Sequence, residues 1–457
     1  MSAPPGPNIG THASQFLMAD DDREVLARRE ERYARFVQEL AAQQQKAEAA
    51  TARGEPVDPP TVVDLKTKAL DMAVLDASNV VLAQASHALK WINVQTGDVR
   101  RIYRGHSGPV SAVMVWQRGE RSAAINTPTA GTPASSRLIS GSWDRSVKVW
   151  DLATGACLQT LTGHADFVKC LALAPGGAVG GHTRVSSAST AEILPILFSG
   201  SSDGSIRQWD LRDGRCVRTL RGHTRGVDAL VYDSITNTLL SASSDTTIKQ
   251  WCVATGQCVR DFRGHHTSVC DLQLYPVYTS IETDLARVTA WDPTTHAPAD
   301  PTLMEALEDV ELWSASADKT AKQWNLVTGR CMTTLTHPDV VKAVTVTEAY
   351  VITGCRDENV RIWDKATGEC IKVLGGHFDE VSALAVIGGT IVSAALDASL
   401  RKWNIKKALY LPGLTYDALP PLADTAPVAA AKPVATKSLL TEEEERELAE
   451  LMSDDED

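Results

Sequence analysis

Gly200-Ser201-Ser202-Asp203-Gly204 lies in the stretch FSGSSDGSIRQWDLR, Phe198 to Arg212. Its Gly-x-Ser-x-Gly spacing is that of a nucleophile elbow, a tight turn that holds a serine out for attack on an acyl carbon. An elbow joins a strand to a helix and draws a base and an acid from elsewhere in the chain. Here the alternating run SIRQWD follows the turn directly, so Ser202 falls between two strands and acyl transfer is not expected. The chain has no HExxH, no GxGxxG and no phosphate loop; PGGAVGGH lacks the lysine and the strand-to-helix context. His87, His182, His266 and His296 are scattered without ligand spacing, so neither a metal nor a cofactor is expected.

Asp203 belongs to a recurring set. An upstream histidine, a hydroxyl, an aspartate four residues after the hydroxyl and a tryptophan six residues after the aspartate occur in six units. These are His106, Ser140, Asp144 and Trp150; His164, Ser199, Asp203 and Trp209; His223, Ser241, Asp245 and Trp251; His265, Ser314, Asp318 and Trp324; His337, Thr353, Asp357 and Trp363; and His377, Ser393, Asp397 and Trp403. Five of the histidines follow glycine, and His337 follows Thr336. An imidazole, a hydroxyl, a carboxylate and an indole N–H together can close one hydrogen-bonded chain that pins a strand turn to the loop before it. The tryptophans sit in alternating contexts such as SVKVWD and NVRIWD, the period of a half-buried strand.

On these residues the chain resembles the WD-repeat family, whose Gly-His and Trp-Asp dipeptides and His-Ser/Thr-Asp-Trp tetrad match the sets above. The resemblance covers about residues 61–405. It implies an all-β, seven-bladed propeller of four-stranded antiparallel blades, with the tetrads as scaffold. A seventh unit around Trp91 departs from the pattern: Val81 stands in the hydroxyl place, Ala85 in that of the aspartate, and no Gly-His precedes them. The ring is expected to close either through 61–67 (TVVDLKT) as the outer strand of the last blade or through ALYLPGL after Lys407.

The 457 residues, 43% hydrophobic and 22% charged, describe a packed protein, and the propeller is expected over 61–407. Three insertions, about 117–137, 175–192 and 275–309, lie between the first two strands of a blade; Trp291-Asp292 in the third lacks the tetrad frame and is not counted as a blade. Residues 1–20 read as disordered. An amphipathic helix is expected over 21–54, with Leu26, Tyr33, Phe36, Val37 and Leu40 on one face, docking on the propeller or a partner. A Pro-rich linker follows at 408–438, then an acidic helical tail at 439–457, where Ser453 precedes four acids and resembles an acidophilic kinase site. Of the net charge of −12 most resides in that tail, so the body has no global basic field for nucleic acid. Arg100, Arg101 and Arg104 form a local basic cluster. Cys157, Cys216, Cys258, Cys331 and Cys370 recur in one frame, too far apart to pair, and are read as small buried hydrophobes. Without a leader or a long apolar run, a cytoplasmic or nuclear location is expected.

Function is then expected to be binding. In the family, the residue before the turn aspartate and those three and five after the Gly-His histidine line the top face. Carried over, they include Trp143, Phe167, Lys169, Asp228, Lys342, Arg356 and Glu380, and Trp143 and Phe167 should meet on neighbouring blades. The expected role is a non-enzymatic scaffold for protein or peptide partners, a monomer within a larger complex. No small-molecule substrate, direct nucleic-acid contact or membrane is expected. Two alternatives are kept. Trp209 to Arg212 resembles the box by which some family members dock on the adaptor of cullin-RING ubiquitin ligases, with Arg212 as the docking residue and Gln208 departing from the box. The other is an RNA-processing or ribosome-assembly scaffold.

Overall fold

Alternation decides the local structure. In Ser146–Asp151 and Ser205–Asp210, side chains are buried along both faces except at the half-buried Lys148, Asp151, Arg207 and Asp210, as for strands sandwiched between neighbours. The computed structural model describes residues 31, 34–43, 45–46, 61–116, 136–174, 195–275, 291–292, 297–298 and 310–410. The expectations for 1–20, for most of the three insertions, for the linker past 410 and for the acidic tail with Ser453 lie outside the described residues.

Among the described residues, seven four-stranded antiparallel sheets follow one another. Blade 1 runs from inner to outer strand as Ala69–Asp76, Asn79–Gln84, Ala88–Asn93 and Val99–Arg104. Blades 2 to 6 have Val110–Trp116, Val168–Ala174, Val227–Asp233, Val269–Tyr275 and Val341–Val346 as inner strands. Their outer strands are Cys157–Thr162, Arg215–Arg221, Cys258–Phe262, Cys331–Thr336 and Cys370–Leu374. The hydrophobic core lies in the seams: Ile139, Val149 and Leu161 of blade 2 pack with Val168, Leu197 and Trp209 of blade 3. Trp291–Asp292 pairs only with Ala297–Pro298, in a separate two-stranded ladder.

Blade 7 combines the two ends of the propeller. Its strands are Val381–Ile387, Thr390–Ala395, Ser399–Asn404 and, from the other end, Val62–Asp64. Val62, Val63 and Asp64 pair antiparallel with Arg401, Leu400 and Ser399, so the strand at 61–67 closes the ring and leaves the last blade no open third-strand edge. The described start of the competing segment, 408–410, belongs instead to a short helix, Ile405–Tyr410, begun by Asn404 Oδ1 accepting the Lys407 N–H, with Ala408 buried. The linker expected from 408 therefore begins later, because Ala408 and Leu409 pack on blades 6 and 7.

A helix through 34–43 docks on blade 7. Phe36 is buried against Val62 and Phe378, with 5.5 Å between the phenyl centroids. Glu39 pairs with Arg401 at 2.9 Å, and Gln43 Oε1 accepts the Thr61 N–H. Val37, expected on the same face, is 42% exposed: it follows Phe36 by 100° of helical turn and points away from the blade.

Blade 1 corrects the frame read from its sequence. Its turn places His87 at φ 64°, where Gly204 has φ 76° in blade 3. Counting from that turn, Ile92 occupies the place of Trp209 and Leu82 that of Ser199, while Trp91 occupies the place of Gln208. A slip of one residue moves a side chain to the other sheet face. Trp91 accordingly faces blade 2 with Trp150, whereas Ile92 and Leu82 face blade 7. The Trp91 indole N–H is buried without a partner.

Candidate functional site

In blades 2, 3, 4, 5 and 7 the four recurring side chains are hydrogen-bonded in sequence. In blade 3, Trp209 Nε1–H donates to Ser199 Oγ at 2.8 Å, His164 Nε2 lies 2.7 Å from the same oxygen, and His164 Nδ1 lies 3.1 Å from Asp203 Oδ2. One protonation pattern satisfies all of them: Ser199 O–H donates to a neutral Nε2, and Nδ1–H donates to the carboxylate. The same chain joins His106, Ser140, Asp144 and Trp150; His223, Ser241, Asp245 and Trp251; His265, Ser314, Asp318 and Trp324; and His377, Ser393, Asp397 and Trp403. The glycine of the Gly-His pair has a backbone reason: Gly105 has φ 152°, and a Cβ there would come 3.1 Å from the Trp150 ring.

Blade 6 departs from this. His337 reaches Thr353 at 2.8 Å and Trp363 donates to Thr353, but His337 Nδ1–H donates to Leu335 O, and Asp357 pairs bidentately with Arg361. Two substitutions explain the loss. Thr336 replaces the glycine that precedes the histidine in the other five blades and has a positive φ in four of them. Asn359 replaces a hydroxyl that elsewhere holds the aspartate: Ser146, Ser205, Thr247, Thr320 and Ser399 each donate to the Oδ1 two residues back. Sequence reasoning missed that hydroxyl, although its fixed spacing after each aspartate was available.

Electrostatics follow the geometry. Burial pushes the imidazoles of His106, His164 and His223 down, so they are neutral at pH 7. Burial alone would raise the carboxyls of Asp144, Asp203 and Asp245, yet hydrogen bonds from the neighbouring hydroxyl, the histidine and the loop N–H carry each down to about 2. The four side chains thus have their hydrogen-bonding partners within the blade, and Ser202 stands outside the chain, its N–H donated to Phe167 O.

That last bond is itself a repeat. The residue before each aspartate donates its N–H to the carbonyl three after the histidine: Trp143 to Pro109, Ser202 to Phe167, Ser244 to Gly226, Ala317 to Ser268, Arg356 to Val340 and Leu396 to Glu380. The two sets of expected top-face residues are therefore backbone partners, held at one end of the ring. Trp143 and Phe167 stack across the seam of blades 2 and 3, centroids 5.0 Å apart and planes at 15°, and remain 43% and 39% exposed. The expected charged contacts are already paired within the protein: Lys169 with Asp228 at 2.6 Å, Lys342 with Glu380 at 3.2 Å, and Arg356 bidentately with Asp339.

Inside the ring, a polar cavity of about 300 Å³ is bounded by the inner strands and includes Lys169, Asp228, Lys342, Asp71 and Asp271. The two last acids were not found from the sequence. Each accepts its neighbour's N–H and one from the next blade: Asp71 from Met72 and Val113, Asp271 from Leu272 and Val344. Burial drives the Asp271 acid up to about 7 and raises Asp71 as well. The signal was present: the matching inner-strand positions elsewhere are Ala112, Cys170, Ala229, Ala343 and Ala383.

Other expected residues lie apart from this end. Arg212 is exposed, its guanidinium turned back onto Asp210 at 3.1 Å. The framed cysteines are corrected: Cys157, Cys258, Cys331 and Cys370 are exposed and Cys216 is half-buried, because each lies near the start of an outer strand, where one side has no neighbouring strand. Among the described residues no cluster of histidine, cysteine and acid has metal-binding geometry, and no helix is long and apolar enough to cross a membrane.

Residues 97–151, 155–210, 214–252 and 329–364 match the family described as WD domain, G-beta repeat. Each matched unit runs from the outer strand of one blade to the third strand of the next. An uncharacterized WD repeat-containing protein of Schizosaccharomyces pombe is 29% identical over 82% of this chain and 84% of its own length. Nuclear distribution protein PAC1 of Arthroderma otae is 28% identical over 64% of this chain, and mitochondrial division protein 1 of Eremothecium gossypii is 31% identical over 35%. The chain spans about half of the former (51%) and 22% of the latter.

Proposed function

We propose, from the premise that this chain is a seven-bladed propeller of the WD-repeat family, that it is a non-enzymatic scaffold holding a protein or peptide at the end of the ring where Trp143 and Phe167 stack. WD-repeat propellers are in general interaction scaffolds. The observation that carries the reading is that the catalytic-looking side chains are consumed inside the blades, while two large aromatics are left in solvent on a rigid base. A large aromatic such as Trp143 that becomes desolvated against a partner is a frequent centre of a binding hot spot. The relatives' names refer to nuclear distribution and to mitochondrial division, so partner identity is set by rim and loops rather than by the fold.

The test is affinity purification of the full chain with crosslinking and mass spectrometry, wild type against Trp143→Ala/Phe167→Ala. A partner crosslinked at the blade 2–3 end in the wild type should be lost from the double variant at unchanged melting temperature. Equal recovery by the double variant would sink the proposal. The same purification examines the alternatives: a cullin adaptor lost on Arg212→Ala would support ligase docking through that exposed residue, and partners released by ribonuclease or by salt would support the RNA reading.

A further inference from the structure

The outer strand of blade 1, Val99–Arg104, differs from the other outer strands. Like the outer strands of blades 2 to 6 it ends its sheet, so along one edge its backbone meets no strand among the described residues, and what sets it apart is its side chains. Val99 and Ile102 stand in solvent, 48% and 40% exposed. The outer strands of blades 2, 3, 5 and 6 each show one such apolar side chain, Leu158, Val217, Met332 and Ile371. Arg100 and Arg104 are exposed and make no ion pair among the described residues. Elsewhere on the rim, Arg215 pairs with Asp213 and Arg263 with Asp261, while Arg221 of blade 3 and Arg330 beside the blade 5 outer strand make no ion pair among the described residues, one to a strand. The strand is also held rigidly: Arg101 lies over Gly155 of blade 2, and Tyr103 donates its hydroxyl to Leu152 O at 2.9 Å.

We propose that the free edge of Val99–Arg104 is a strand-addition site for an extended segment of a partner protein in which acidic residues are interleaved with apolar ones. An unpaired edge supplies main-chain donors and acceptors, and alternate side chains supply specificity. Ile102 and Arg104 share one strand face, with Arg100 at the bulge beside them, so an added strand meets an apolar position followed two residues later by a cationic one. Charge complementarity makes the occupant acidic. The strand exposes no aromatic ring on which a base could stack, and the two aliphatic side chains would lie against phosphate, so a peptide fits better than RNA. Charged residues at an edge often serve only to repel other strands. That role would be served without Val99 and Ile102 in solvent, and it leaves no saturable binding. The site lies on the rim and is independent of the Trp143–Phe167 reading.

The experiment titrates the full chain with a synthetic peptide of alternating glutamate and valine, reading fluorescence anisotropy and backbone hydrogen exchange. Saturable binding with slowed exchange across Val99–Arg104 is expected. It should weaken about tenfold or more for Arg100→Glu/Arg104→Glu and fall with added salt. Arg221→Glu, a single charge reversal on the blade 3 outer strand, should bind like wild type, and melting curves establish that the variants are folded. No protection at Val99–Arg104, equal binding by the double reversal, or protection by polyuridine but not by the peptide would overturn the proposal.

Discussion

Trp91 and Ile92 are neighbours in the chain but belong to opposite seams, Trp91 packing with blade 2 and Ile92 with blade 7. The Trp91 indole N–H has no acceptor, whereas the Trp209 N–H donates to Ser199. Replacing each by phenylalanine separates the two situations. Trp209→Phe should lower stability by about 1–3 kcal/mol, since Ser199 loses a partner inside a buried chain. Trp91→Phe loses only contact area and should cost about 1 kcal/mol less than Trp209→Phe. Chemical denaturation of the two variants measures the difference.

The hydrogen-bonded chains predict unequal aspartates. Asp203→Ala strands His164 Nδ1–H and the Ala165 N–H and should destabilise by about 1–3 kcal/mol. Asp357→Ala leaves His337 bonded to Thr353 and Leu335, so its effect should come through Arg361 instead. Arg361→Met combined with Asp357→Ala should then recover part of the loss, whereas Arg207→Met beside Asp203→Ala should not, because Asp203 is held by His164 and Ser205. Unfolding midpoints decide this.

Acid should unfold the protein by a definite route. The carboxyls of Asp144, Asp203 and Asp245, held down to about 2, are charged in the fold where the unfolded chain would already take up protons. Their contribution is complete above the unfolded pKa of about 4 and is lost as pH falls through the folded value near 2. Melting temperature should drop steeply over that window, and less steeply once Asp144, Asp203 and Asp245 are replaced by asparagine.

Asp271 acts in the opposite direction. Its acid, driven up to about 7 by burial and to a smaller degree by Asp71, keeps a proton that the unfolded chain has lost. Stability from this residue therefore falls as pH rises from about 4 through 7, with a slope of at most about 1.4 kcal/mol per pH unit. Asp271→Asn should flatten the melting-temperature profile between about pH 5 and 7. An unchanged slope would show that the carboxyl is not the titrating group.

Ring closure should depend on the helix through 34–43. Phe36→Ala uncovers Val62 and Phe378 and should cost about 2 kcal/mol. Hydrogen exchange should speed first at Val62–Asp64, which has one paired neighbour, before any inner strand responds.

The propeller was written in the sequence wherever one short motif recurred. Trp150, Trp209 and their equivalents, each ten residues after a hydroxyl, mark strand pairs whose local spacing is set by backbone geometry alone. The repeat likewise placed Trp143 beside Phe167, because a closed ring brings matching loop positions together. Only the tertiary structure decided what depends on distant neighbours. The residue at which the blade 1 strands cross from one face to the other is set by the Ser86–His87 turn and by what blades 2 and 7 offer to each side. Whether 61–67 or 408–414 fills the last blade is a competition between segments more than 300 residues apart. Asp71 and Asp271 stand where the other blades carry Ala112, Cys170, Ala229, Ala343 and Ala383, but it is the closing of the inner strands around them that buries their carboxyls and raises their acids.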